Sequence, residues 1–94
     1  MAKPIGADSE RRSMSLDEAL GTEITRLRTH LQWTQQKLSE VAGYDESYIR
    51  QLEKGTKSAT LRTLSDLASA LSLNVSTLVR RAERRREIAR SAVK

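Results

Sequence analysis

The sequence predicts an all-α domain of five helices, and two observations support this prediction. Five residues of the types that cap helix starts each lie directly after one apolar residue and four positions before a second one. Contact between two apolar residues at this spacing is a hydrophobic staple. Within the intervening segments apolar residues recur every three or four positions, and no alternating strand pattern occurs. The predicted caps are Ser15, Thr34, Asp45, Thr60 and Asn74. The staple pairs are Met14 with Ala19, Trp33 with Leu38, Tyr44 with Ile49, Ala59 with Leu64, and Leu73 with Leu78.

The first helix is predicted to begin after Ser15, where Glu18 three residues later completes a capping box. It runs to about residues 29–31, because one apolar stripe continues that far. The inward stripe is Leu16, Leu20, Ile24, Leu27 and Leu31. Gly21 lies inside this helix, where glycine is unfavourable unless a neighbouring helix passes close to it.

The second and third helices are predicted between Thr34 and Gly55, with Gly43 supplying the positive φ of the turn between them. Both helices are too short to be stable alone in water, so they need a scaffold. Their predicted buried residues are Leu38, Val41 and Ala42, then Tyr48, Ile49 and Leu52. The outward face of the third helix is polar and consists of Glu46, Ser47, Arg50, Gln51 and Lys54.

The fourth helix is predicted from Thr60 to about Leu71, and the fifth from Asn74 into the C-terminal segment. The fifth helix buries Leu78 and continues through a run rich in arginine. The inward residues of the fourth helix are Leu61, Leu64, Leu67, Ala68 and Leu71.

The two ends of the chain differ from the body between them. Residues 1–14 show no periodicity and are predicted to form a flexible N-terminal arm. The net charge of +5 lies wholly in residues 80–94, which hold seven basic and two acidic residues. Residues 1–79 are neutral, so any nucleic-acid contact there depends on the placement of charges. The basic segment is expected to contact DNA or a partner electrostatically, or to be a solvated end; its apolar face is too thin for a membrane.

Several classes of protein are disfavoured by the composition. The chain has no cysteine, which excludes disulfides and thiolate metal sites. No apolar run is long enough to span a membrane and no signal peptide is evident, so a cytoplasmic protein is expected. The single histidine, His30, has no clustered acid or cysteine partners, and no phosphate-binding glycine loop occurs. We expect neither enzymatic activity, nor a cofactor, nor a metal site.

Residues from about Leu20 to Val79 resemble the lambda-repressor/Cro-like helix-turn-helix family of the XRE type. The matching residues are Thr34-Gln35, Leu38, Gly43, Ile49, Leu52-Glu53-Lys54-Gly55, Leu64, Leu67-Ala68 and Ala70-Leu71. The stretch SYIRQLEKG followed by ATLRTLSDLASALSL is also similar to restriction-modification controller proteins. The resemblance implies a helix-turn-helix domain over residues 15–79. It does not extend into residues 80–94, which their own composition predicts to be a basic helical extension.

The resemblance further implies a sequence-specific transcriptional regulator that binds a palindromic operator in double-stranded DNA as a homodimer. The recognition helix, residues 45–54, would lie in the major groove. The base-reading candidates are Glu46, Ser47, Arg50 and Gln51. The phosphate-binding candidates are Gln35, Tyr44, Lys54, Lys57 and Arg62. The candidate dimer interface is Leu73, Val75, Leu78 and Val79, although these residues could simply complete the core.

A second hypothesis is a protein-interaction module, such as an antitoxin that uses the basic C-terminal helix to bind its partner. Operator binding by the body would favour a regulator, whereas an acidic partner for the tail without operator binding would favour the interaction module. The two functions can also coexist in one chain.

Overall fold

A computed structural model of the chain describes residues 14–92, and these residues form five α-helices without a strand. The prediction of an all-α, five-helix domain is therefore confirmed. The helices are α1 Leu16–His30, α2 Gln35–Ala42, α3 Glu46–Lys54, α4 Leu61–Ala70 and α5 Val75–Ala92. Apart from Met14, the predicted N-terminal arm lies outside the described residues. None of the five helices is long and apolar enough to cross a membrane.

The predicted caps mark the helix starts, and three of them make the expected side-chain bond. Ser15 and Glu18 form the complete capping box, with bonds of 3.1 and 2.9 Å between each side chain and the other residue's backbone N–H. Thr34 and Thr60 likewise accept backbone N–H bonds at their helix starts. Asp45 occupies the cap position of α3, but its side chain makes no capping bond, so that part of the prediction is wrong.

Four of the helix ends use a left-handed residue, and only two of these residues are glycine. Gly43 and Gly55 have φ values of 84° and 76°, as expected for the ends of α2 and α3. Gln32 and Ser72 also have positive φ, at 61° and 62°. After Gln32, the Trp33 N–H bonds back to the Arg28 carbonyl at 3.1 Å, which satisfies an exposed carbonyl of α1.

The core is built around α1, which packs against both α3 and α5, while α2 packs against α3 and α4. The staple residues that precede the five caps all pack against this core. Its fully buried residues include Ile24, Leu38, Ile49, Leu67 and Leu78.

Four apolar residues predicted to face inward are exposed instead. Leu61, the first residue of α4, retains 77% of its surface, which makes it the most exposed of the four. Leu16, Val41 and Leu61 lie in the first or last turn of their helices, and Leu31 is the residue that follows α1. The four are Leu16, Leu31, Val41 and Leu61.

Gly21 is where α1 and α3 touch backbone to backbone. A Cβ atom at this position would overlap the carbonyl oxygens of Leu52 and Glu53 in the last turn of α3. The close passage of a neighbouring helix, which the sequence required of this glycine, is therefore present. The contact sets how closely the third helix lies against the scaffold.

The fifth helix continues without a break past residue 80, where the sequence suggested the start of an extension. Ala82 lies inside that segment and belongs to the buried core. Arg85 bonds to Glu23 of α1 at 2.7 Å. The first turns of the basic segment are thus packed against the body.

Candidate nucleic-acid interface

The third helix has one buried side and one exposed polar side. Ile49 and Leu52 are buried against the scaffold. The four predicted base-reading residues are all exposed on the opposite side, and they are Glu46, Ser47, Arg50 and Gln51. The structure therefore brings these residues together on one accessible face, as the spacing predicted. Their contact with bases stays a prediction.

Two of these residues pair with each other on the surface. Arg50 Nη2 lies 3.3 Å from Glu46 Oε2, and both side chains are almost half exposed. An exposed ion pair one helical turn apart contributes less than about 1 kcal/mol. Arg50 can therefore exchange Glu46 for a base or a phosphate at little cost.

A buried network around Glu53 fixes α3 to the scaffold. Arg28 of α1 donates to both Glu53 carboxylate oxygens, from Nε at 2.7 Å and from Nη2 at 3.0 Å. The Arg28 and Glu53 side chains are only 12% and 5% exposed. Arg28 Nη1 also donates to the carbonyl of Trp33 at 2.7 Å, which ties in the residues leading to α2. Such a bidentate arginine–carboxylate pair holds one geometry, so the exposed face of α3 has a fixed orientation.

Gln35 belongs to the same network. Its Nε2 donates to Glu53 Oε1 at 2.8 Å, from the first residue of α2. An amide has two N–H donors, so the predicted phosphate contact can use the second donor while this bond remains. The sequence suggested Gln35 as a phosphate ligand but did not identify its bond to Glu53.

Tyr44 is engaged differently from the prediction. Its hydroxyl donates to Asp66 Oδ2 of α4 at 2.6 Å, and this bond raises the pKa of Tyr44 above its ordinary value. The phenol has a single O–H donor, so it cannot donate to a phosphate while it donates to Asp66. The Tyr44 ring also packs against that of Tyr48, with centroids 5.5 Å apart. In this structure Tyr44 fixes the turn to α4, and its phosphate contact stays a prediction.

The remaining predicted phosphate ligands surround the end of α3. Lys54 closes that helix, Lys57 lies in the following loop, and Arg62 is near the start of α4. All three are exposed, and none forms an ion pair with another residue in the described part of the chain. These cations are therefore available to an anion that approaches this edge.

The predicted dimer residues divide into two groups. Leu78 is 0% exposed and lies in the core, so its side chain cannot contact a second copy. The prediction for Leu78 is corrected because α5 turns this residue towards the other helices of its own chain. Leu73, Val75 and Val79 are half-buried and retain accessible surface. Val79 lines a small apolar cavity of about 130 Å³ together with Leu16 and Leu64.

The sequence does not indicate the distant arginine partners of two buried acids, Glu53 and Glu23. Arg28 lies 25 residues from Glu53, and Arg85 lies 62 residues from Glu23, so no local spacing connects them. Arg28 lies in the last turn of α1, where basic residues are common because they interact favourably with the helix dipole. Its bond to Glu53 is visible only in the folded chain.

A sequence profile of the helix-turn-helix family matches residues 24–78, which is more than half of the chain. The matched region begins within α1 and ends in the first turn of α5, so it includes the complete α2–α3 pair. It stops before the arginine-rich part of α5.

Three known proteins are similar to this chain. The control protein C.SmaI of Serratia marcescens is 32% identical over 68 residues, covering 72% of this chain and 81% of its own length. The restriction-modification controller protein C.AhdI of Aeromonas hydrophila has a TM-score of 0.64 at 29% identity, covering 66% of this chain and 94% of its own. The clp gene regulator ClgR of Corynebacterium glutamicum has a TM-score of 0.80 at 24% identity and covers 85% of both chains, a likeness of fold.

Proposed function

The chain belongs to the XRE-type helix-turn-helix family of transcriptional regulators, and from this premise we propose that it binds a palindromic operator as a homodimer. In this proposal α3 enters the major groove of double-stranded DNA. The observation that carries the proposal is the exposed polar face of α3 on a helix whose other side is held by Gly21 and the Glu53 network. Such a regulator would act in the cytoplasm, at the nucleoid.

The side chains on that face suit the edges of base pairs. Arginine pairs with guanine through two hydrogen bonds, and the amide of glutamine pairs similarly with adenine, which assigns these roles to Arg50 and Gln51. Glu46 can accept from the cytosine amino group, and Ser47 is compatible with several bases. Each good bidentate contact discriminates against a wrong base by about 1–3 kcal/mol.

Phosphate contacts would set the position of the protein on the duplex. Gln35 lies at the start of α2, where exposed backbone N–H groups also favour an anion. Lys54, Lys57 and Arg62 would hold the backbone beyond α3, and they would make binding sensitive to salt. Tyr44 would join them only if DNA displaced its hydroxyl from Asp66.

One copy of α3 alone would bind DNA weakly, so pairing of two copies would raise the affinity for DNA. In a dimer the two copies of α3 would lie about one DNA turn, roughly 34 Å, apart. We place the interface on Leu73, Val75 and Val79. We extend it to Leu61, which is exposed and lies one turn before Leu64 on α4, because Leu64 lines the same small cavity as Val79.

The sequence preference of the bound DNA tests the base-reading residues. Duplexes selected from a random pool by the wild-type protein should contain a symmetric pair of half-sites. Arg50→Ala or Gln51→Ala should lose preference at one base pair of each half-site, by about 1–3 kcal/mol. Arg80→Ala removes an exposed arginine from α5 instead, and should leave the preference unchanged. Equal discrimination by all four proteins would reject the assignment of α3.

The oligomeric state tests the dimer surface separately. Leu61→Glu places a charge on a residue that is 77% exposed in the monomer, so it should keep the fold and produce monomers. Val41→Glu is the matched control, because it introduces the same charge at an exposed apolar residue of α2. Sedimentation equilibrium distinguishes the two species, and a Leu61→Glu protein that is still dimeric would place the interface elsewhere.

A further inference from the structure

An open cleft of about 320 Å³ lies between α1 and α5, on a part of the chain that the proposed DNA contacts do not use. It has one acid, four arginines and one apolar side chain. Its lining residues are Glu23, Arg26, Arg81, Arg84, Arg85 and Ile88.

The acid of this cleft is already neutralised from within the protein. Glu23 is only 3% exposed in its side chain, and its carboxylate bonds to Arg26 at 2.6 Å and to Arg85 at 2.7 Å. Burial alone would raise the pKa of Glu23, but the bonds to these two arginines outweigh it and hold the pKa below its ordinary value. The carboxylate is therefore charged and fully engaged.

The arginines exceed what this acid can neutralise. Arg81 lies 3.9 Å from Glu23, at the limit of an ion pair, and its side chain is 45% exposed. Arg84 is exposed and forms no ion pair with an acid within residues 14–92. The cleft thus presents positive charge to the outside although it contains a buried acid.

The cleft lies on the side of α1 away from the DNA-facing helix. Gly21 and Arg28 contact α3, and they share one face of α1 because seven residues make almost two turns. Glu23 is two residues from Gly21, which places it on the far side of α1, and its partner Arg85 is on α5. With α3 in the major groove, this cleft would not face the same DNA.

We propose that the cleft between α1 and α5 binds an acidic peptide segment of a partner protein. Carboxylates of that segment would pair with Arg81 and Arg84, since a guanidinium matches a carboxylate in two hydrogen bonds. An apolar side chain of the segment would cover Ile88, which is 59% exposed beside these charges. This inference rests on the proposed function, because α3 and the cleft would then hold DNA and a protein on opposite sides of one domain.

A labelled peptide of glutamate and leucine is the probe that tests this cleft, with fluorescence anisotropy as the measurement. The full chain should bind it and should bind the glutamine version of the same peptide far more weakly. Arg81→Gln with Arg84→Gln should reduce affinity for the glutamate peptide about tenfold. The control is Arg80→Gln with Arg90→Gln, which removes the same charge from exposed positions on the same helix and should change binding little.

Duplex DNA carrying the selected site completes the experiment. The cleft variant should bind it as the control variant does, and circular dichroism should show that both are folded. The proposal would be overturned if both variants lost the same affinity for the glutamate peptide, or if the wild-type protein bound the glutamate and glutamine peptides equally. So would loss of DNA binding in the cleft variant alone, which would make the cleft a DNA surface. Failure of the wild-type protein to bind any duplex would overturn the proposed function and leave the peptide result to be judged separately.

Discussion

Two buried glutamates, Glu53 on α3 and Glu23 on α1, are held by arginines in opposite ways. Glu53 meets one arginine and one amide, and the Arg28 side chain is only 12% exposed. Glu23 meets arginines that are between 32% and 46% exposed and that outnumber it. The first cluster is closed and balanced in charge, whereas the second is open and has positive charge left over.

The difference separates a structural role from a binding role. A closed pair adds no charge to the surface, and its two-pronged geometry fixes α3 against α1. The open cluster uses part of its positive charge to hold α5 against α1 and leaves the remaining positive charge accessible. Removing one member of each cluster should therefore have different consequences for stability.

Arg28→Ala should produce the largest effect. It leaves the Glu53 carboxylate buried without its main partner, and breaking a buried pair in this way costs roughly 3–5 kcal/mol. The free energy of unfolding, measured with urea, should fall by that amount. Arg26→Ala is the matched control, because it removes an arginine from a buried glutamate that keeps Arg85. Equal losses in the two variants would remove the distinction between a closed and an open cluster.

Glu23→Gln should produce a smaller effect, about 1–2 kcal/mol, because solvent screens the half-exposed arginines that it leaves behind. The loss should concentrate at the contact between α5 and α1. Amide hydrogen exchange should therefore accelerate in α5 around residues 82–86 while the amides of α3 stay protected. Faster exchange in α3 as well would mean that the two clusters act as one unit.

Acidification should produce the smallest effect on stability, and part of that effect should come from the Glu23 carboxylate. Since the folded pKa of Glu23 lies below its ordinary value near 4.5, its stabilisation is complete above that value and is lost as the pH falls through the folded pKa. Unfolding free energies measured from pH 6 downward should therefore decrease less steeply in Glu23→Gln than in the wild-type protein. Identical slopes would show that Glu23 contributes nothing to the pH dependence.

The local signals in the sequence identified the helices correctly but not every buried face. The capping box of Ser15 and Glu18 and the caps Thr34 and Thr60 were predictable, since each bond spans only three residues. Periodicity failed at the helix ends, as with Leu61, because a stripe does not reveal where the neighbouring helix stops. The same limit left Leu78 open to two interpretations, core or interface, until the packing of α5 was known.

The sequence by itself determined the five helix starts, the left-handed glycines and the polar face of α3, including Arg50 and Gln51. These features depend on residues a few positions apart, which meet in any helix. The tertiary structure alone decided the pairing of Glu53 with Arg28 and of Glu23 with Arg85, across 25 and 62 residues. It also decided that the basic C-terminal segment docks on α1, because burial of Ala82 and Glu23 requires two distant helices to pack together.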